Sequence, residues 1–357
     1  MRINDMTREL KYFEAIREAQ DQCMAEDQSI YVMGLGVPDP KGIFGTTLGL
    51  QEKYGAERVM DMPLAESAMT GVAIGSAITG MRPVMTHQRV DFAIVAMEQI
   101  VNQAAKWSYM FDGRLKVPLV IRMIIGRGWG QGPQHSQSLQ ALFAHVPGLK
   151  VVMPTTAYDA KGLLISAIED DNPVVMLEHR WLYDISDEVP DEKYRVSLGQ
   201  ARVMREGKDI TLVGMSYMSL ESLRASELLE ERGVNAEVVD LRSLRPLDED
   251  TLLSSVRKTG RLIVSDTANR QYGASAEILA LVTEKAFSSL KAAPERVTQP
   301  EHPAPTSPAL CDAYYPGAGQ IAARALNMLG RKVDQDLFAR PENRRPDQPD
   351  PTFIGPF

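Results

Sequence analysis

At 357 residues and a net charge of −8, with its basic residues scattered, the chain has material for two ordinary cores and no footprint for a polyanion partner. Its 44% hydrophobic and 24% charged residues match a soluble globular protein, no apolar run approaches the roughly 20 residues of a membrane span, and the start MRINDMTREL lacks a signal segment, so cytoplasmic residence is expected. Cys23 and Cys311 lie far apart outside any CxxC spacing, which argues against a disulfide framework or a cysteine-built metal site.

Short apolar strands alternate with helical patterns, and the alternation runs twice. The first strand is SIYVMG (29–34), and DMPLAESAMTGVAIGSAITG (61–80) then reads as a helix with Glu66 near its start and Gly71 and Gly75 on one face. After the strand RPVMTH (82–87), Ile94, Met97, Val101, Ala104 and Trp107 repeat at helical spacing and predict one long helix over 93–110. Strands follow at 117–124, 149–154 and 173–178, with a helix between the last two. That helix starts where Thr156 and Asp159 stand in capping-box relation and stops at Asn172-Pro173. The acidic stretch 184–198 holds a proline and no sustained period, and is expected to link two domains. A second α/β unit has strands at 209–215, 236–241 and 261–266, a helix ending at Gly233 and another from about Asp248. The polar, proline-rich end is expected to form a tail. The fold class is therefore α/β, with two doubly wound domains.

Three stretches have chemical potential. GRGWGQGPQHSQ (126–137) places four glycines on alternate positions after a strand, but it lacks a P-loop pattern, and Pro133 and QHSQ stand where a dinucleotide fingerprint opens a helix. Loops at the carboxyl ends of parallel strands are where α/β folds place ligands, so His135 reads either as a proton-transfer group or as a loop histidine bonded to backbone. Glu66, against a glycine-faced surface, is partly desolvated and suits a group that shares a proton with a ligand nitrogen. A helix-start glutamate favoured by the dipole fits equally. Phe92 is either core or a platform for a flat heterocycle. No HExxH or GxSxG occurs.

The order of ERVMDMPLAES, the E-x4-G-x3-G that follows, EQIVNQAAK, QHSQ, HVPGLKVVMP, DAKGLLISAIEDDNPVV, DLRSLRPLDEDTL and VRKTGRLIV is more specific than any one of them. From about Thr7 to Leu329 the chain resembles the beta subunits of thiamine-diphosphate-dependent 2-oxo-acid dehydrogenases, of the pyruvate and branched-chain type, within the transketolase-like superfamily. The resemblance implies a pyrimidine-binding domain over 1–190, a transketolase C-terminal-like domain over 191–335 and a tail over 336–357. It places Glu66 on the aminopyrimidine ring nitrogen, Phe92 on the pyrimidine face with Leu64 beside the cofactor, and His135 where protons or the acyl acceptor are handled; His87, where the family has a glutamate, reads either as facing the cofactor or as a structural histidine. It implies a potassium ion held by Leu119, Ala167, Asp170 and Asn172, hard oxygen ligands suited to such an ion. On this reading the glycines bring the lid near the cofactor and Trp129 supplies apolar cover.

The family's GDG motif with its later asparagine, which holds diphosphate and Mg2+, is missing here. The resemblance thus implies an alpha subunit carrying that half in an α2β2 heterotetramer, a 2-oxo-acid substrate, and a lipoyl acyltransferase as further partner. The chain departs from the family pattern at Leu35-Gly36, at Thr86-His87 and at Asp266 with Gln271-Tyr272, which keeps a split transketolase-like or acyloin-forming carboligase open as the alternative, and a non-catalytic scaffold as one of another class.

Overall fold

The structure, a computed structural model, describes residues 7–126 and 130–338. The chain forms two compact units, one running to Ile125 and resuming over Leu142–Leu198, the other built from Gly126–Ala141 and the chain from Gly199 onward.

In the first unit, β1 (Thr7–Lys11) leads into α1 (Tyr12–Glu26), β2 (Ile30–Gly34), α2 (Leu50–Tyr54), β3 (Val59–Met60), α3 (Glu66–Ile78) and β4 (Arg82–His87). Then come α4 (Val90–Ala93), α5 (Ala105–Met110), β5 (Val120–Ile125), α6 (Gln140–Ala144), β6 (Lys150–Val152), α7 (Ala157–Glu169), β7 (Val174–His179) and β8 (Ser186–Pro190). The order β6-β7-β5-β4-β2-β3 is parallel throughout, with Gly34 opposite Thr86 and Ile125 opposite His179. β2, β5 and β7 are buried at every position, as parallel strands covered on both faces must be, which is why they read as mainly apolar runs. Charges interrupt two of these runs: Arg122, in the middle of β5, is fully buried and meets Glu178 of β7 at 2.6 and 2.9 Å. Tyr183 donates to the same carboxylate at 2.6 Å and Gln20 accepts from Arg122 at 3.2 Å, so the buried pair is hydrogen-bonded on several sides.

One expectation is corrected and another refined. The stretch 184–198 is not a free linker, because β8 pairs antiparallel with β1 and residues to Leu198 belong to the first unit. Lys161 of α7 fastens it, donating to the carbonyls of Pro190 at 2.7 Å and Glu192 at 2.8 Å, and to Glu18 at 2.6 Å. The helix expected over 93–110 forms and runs without interruption from Val90 to Met110, tightening to a 3₁₀ turn at Ile94–Ala96 and widening to a π turn at Gln99–Ala104. Its buried side is Ala93, Ala96, Ile100 and Ala104, small residues that also recur at helical spacing, while Ile94 is 43% exposed. The bulky stripe read from the sequence therefore faces outward in part, because the alanines allow a closer approach to the sheet.

The second unit contains β9 (Arg202–Arg205), β10 (Ile210–Gly214), α8 (Tyr217–Glu230), β11 (Ala236–Asp240), β12 (Ser243–Arg245), α9 (Glu249–Thr259) and β13 (Leu262–Asn269). It ends with α10 (Ala274–Ala286), β14 (Glu295–Gln299), α11 (Pro308–Tyr314) and α12 (Ala318–Met328). Its sheet runs β14-β13-β10-β11-β9, with only β9 antiparallel to its neighbour. Asp248 caps α9 by accepting from the Thr251 N–H at 3.0 Å, and Gly260 ends that helix at φ 76°. Of the tail expected over 336–357, residues 339–357 lie outside the described residues, and a 3₁₀ turn covers Gln335–Phe338. No described helix is long and apolar enough to cross a membrane.

Candidate active site

Glu66 opens α3 and is buried, 9% exposed, where the chain rises from β3 toward the carboxyl edge of the sheet. The approach is fixed by Asp61, whose Oδ1 accepts the N–H groups of Gly36 at 2.8 Å and Met62 at 2.9 Å. Four residues along the same face of α3, Thr70 donates to the Met85 sulfur at 3.5 Å, which sets that face of the helix against β4. His87 stands two residues beyond Met85, so strand periodicity puts it on the same side, at the end of β4 nearer the start of α3. It is 2% exposed, neither ring nitrogen has a hydrogen-bond partner among the described residues, and burial pushes its pKa down to about 4.

Phe92 lies half-buried in α4, its N–H donating to the Arg89 carbonyl at 3.1 Å, and Leu64 is 76% exposed just before α3. The glycines of α3 leave room that this chain leaves open. A Cβ at Gly71 would meet only the Gln99 side chain at 3.6 Å, and one at Gly75 nothing within 4 Å. Val72 and Val95 are exposed beside them, so this unit presents an apolar face with small residues in it.

Sequence reading missed Gln88, whose Nε2 donates to the Leu35 carbonyl at 3.0 Å and ties the end of β4 to the loop after β2. A polar residue directly after an apolar strand was its only signal. Gly34 makes that closure possible, since a Cβ there would stand 2.6 Å from the Thr86 carbonyl oxygen.

The structure brings Glu66, Leu64, His87 and Phe92 into one unit and puts His135 in the other, on the segment Gly126–Ala141. His135 is half-buried in a turn where its N–H donates to Gly132 at 3.4 Å. Gly130 and Gly132 hold φ of 67° and 71°, the left-handed values that favour glycine. Gly128 and Trp129 lie outside the described residues.

The residues expected around a cation meet at the end of α7. The Leu119 carbonyl accepts from Val174 at 2.9 Å and the Ala167 carbonyl from Asp170 at 3.3 Å. Asp170 accepts from Asn172 N–H at 2.9 Å and from Lys150, while Arg82 donates to the carbonyls of Ile168 at 3.0 Å and Asp170 at 3.1 Å. The oxygen set has the hardness a monovalent ion needs, but two protein cations already stand on it.

Comparison with known proteins also divides the chain in two, although the first matched region includes the segment 126–141 that packs in the second unit. Residues 8–185 match the family model of the transketolase pyrimidine binding domain, and 199–321 that of the transketolase C-terminal domain. The beta subunit of acetoin:2,6-dichlorophenolindophenol oxidoreductase from Cupriavidus necator is 46% identical over 330 residues, covering 90% of this chain and 97% of that one. The pyruvate dehydrogenase E1 component subunit beta of Acholeplasma laidlawii is 44% identical over 286 residues, covering 80% and 88%. Among solved structures, a split-gene transketolase described as an inactive beta4 tetramer superposes with a TM-score of 0.73 at 25% identity, covering 90% of this chain and 99% of that one. With the fold, both domain models and near full-length relatives in agreement, the chain belongs to the transketolase-like family of beta subunits of thiamine-diphosphate-dependent dehydrogenases.

Proposed function

We propose that this chain forms the pyrimidine-holding half of a thiamine-diphosphate enzyme that cleaves the carbon–carbon bond beside a carbonyl, in a 2-oxo acid such as pyruvate, and passes the acyl fragment to lipoamide. The observation that carries this is the buried Glu66 carboxyl in the first turn of α3, beside open glycines and an exposed apolar face. Bound thiamine diphosphate supplies the carbanion chemistry. Glu66 holds a proton at the aminopyrimidine ring nitrogen, Phe92 and Leu64 offer apolar surface to that ring, and the neutral His87 is available as donor or acceptor beside it. His135 moves a proton at the transferred fragment. No GDG motif occurs in the sequence, so diphosphate and Mg2+ are assigned to an alpha-type subunit in an α2β2 assembly.

A second substrate class is supported by the name of the Cupriavidus necator relative, which is an acetoin oxidoreductase subunit, and the split-transketolase neighbour supports a carbonyl acceptor. Coexpression with the alpha-type subunit, then a screen of 2-oxo acids and acyloins with 2,6-dichlorophenolindophenol as acceptor, separates these. In that complex Glu66→Gln should lower turnover at least about a hundredfold, the usual worth of a positioned acid-base group. Near-normal turnover removes Glu66 from its role. His135→Ala should slow transfer to the acceptor while leaving cofactor affinity within about twofold, because a proton-transfer group acts on rate rather than on ground-state binding.

A further inference from the structure

We infer that Asp266 and Gln140 are positioning residues that hold His135 in place, a reading that rests on the role proposed for that histidine. Both side chains are fully buried in the second unit. Gln140 follows His135 by five residues on the segment Gly126–Ala141, and its Nε2 donates to Asp266 Oδ1 at 2.5 Å. Asp266, near the end of β13, does not belong to that segment. Its Oδ1 also accepts the Ala268 N–H at 3.0 Å, and its Oδ2 accepts the Ser275 N–H in the first turn of α10 at 3.3 Å. One carboxylate thus joins a strand end, a helix start and the His135 segment. Burial raises its pKa, the Gln140 amide and the backbone N–H groups opposing.

The other end of the segment is fixed by shape. A Cβ on Gly132 would stand 2.7 Å from the Thr306 hydroxyl, and one on Gly130 3.3 Å from the Thr306 carbonyl oxygen, so the glycines let the chain lie against Thr306. Between these anchors sit His135 and the buried Ser136 and Ser138. The hold is finely balanced. Gln140 Oε1 and Ser138 Oγ are buried without partners among the described residues, and each unmet group offsets much of what a hydrogen bond to a carboxylate returns. Removing the Gln140 bond to Asp266 therefore loosens the segment at that end. A packing contact alone would not show that dependence on a single amide.

The geometry also fixes the lengths. Aspartate is one methylene shorter than glutamate, and the Gln140 amide fills the space in front of it. Asp266→Glu pushes the carboxylate into that amide, whereas Asp266→Glu combined with Gln140→Asn exchanges the methylene across the bond and keeps the donor.

Two measurements test this. In hydrogen exchange on the full chain, Gln140→Leu should speed exchange over residues 130–138 and leave β10 and β11 at the rate of the unchanged chain. Equal protection of 130–138 overturns the anchor. In the complex with the alpha-type subunit, Gln140→Leu should lower kcat for acceptor transfer about tenfold, as loss of one hydrogen bond to a charged group implies, with cofactor affinity unchanged. In the His135→Ala background the same substitution should do nothing further, and additive losses overturn positioning through His135. Asp266→Glu should lose activity that the added Gln140→Asn, which keeps the amide and gives back the methylene, recovers in part; no recovery overturns the length argument. If His135→Ala by itself leaves transfer intact, the role of His135 fails, while the exchange measurement still decides whether Gln140 anchors the segment.

Discussion

Buried ionisable groups in this chain divide by whether they have partners. Arg122 and Glu178 face each other across adjacent strands with no exposure, and each satisfies the other. Removing one charge strands its partner, so Glu178→Gln should destabilise the chain by about 3–5 kcal/mol, read as a lower urea midpoint at unchanged m-value. His87 is the opposite case, with no hydrogen-bond partner among the described residues and a folded pKa of about 4 against an ordinary 6.5. Below pH 6.5 the unfolded chain takes up a proton that the folded chain refuses, so stability falls as pH drops from 6.5 toward 4 and the fall ends there. His87→Phe should flatten that part of the stability curve, and an unchanged slope in urea titrations at pH 7 and pH 5 would show the ring is not buried neutral. Neither the ion pair nor the unpartnered ring was legible in the sequence, because partner and burial depend on strands far apart in the chain. Glu66 was legible only through the order of motifs around it.

Elements with local determinants were read well. The strand Arg82–His87 has the limits expected from the sequence, and α7 starts after Thr156, whose hydroxyl accepts from the Asp159 N–H at 3.1 Å. Thr156→Ala should cost about 1 kcal/mol of stability in the same urea measurement. The helix expected over 93–110 formed, but two apolar series run through it, and only tertiary packing decides which is buried. The alanine series went inward. β1 and β8 were missed since each is half-polar, and their pairing joins residues almost the length of the first unit apart.

For the whole molecule, the apolar surface of Leu64, Val72, Ile94 and Val95, with Gly75 open between helix turns, is larger than single exposed residues require. On the proposed function this face belongs to the alpha-type subunit. Val72→Glu should abolish copurification of the two subunits while leaving the melting temperature of the isolated chain nearly unchanged, because Val72 is more than half exposed. The isolated chain should bind thiamine diphosphate weakly; stoichiometric tight binding, or full activity of a homo-oligomer, contradicts the shared site. The two-domain, doubly wound class followed from the repeated strand–helix alternation, but its borders did not, since composition cannot reveal that a stretch inside one unit packs with another.

That stretch, Gly126–Ala141, leaves the first unit after β5 and rejoins it within α6. Evolutionary shuffling at Leu198 would therefore mismatch the partners it exchanges: a foreign carboxyl-terminal module would arrive without the Gln140 it expects, and a transplanted amino-terminal one would bring a glutamine with no aspartate to receive it. Chimeras between relatives should work only when the sixteen-odd residues around His135 travel with the carboxyl-terminal half.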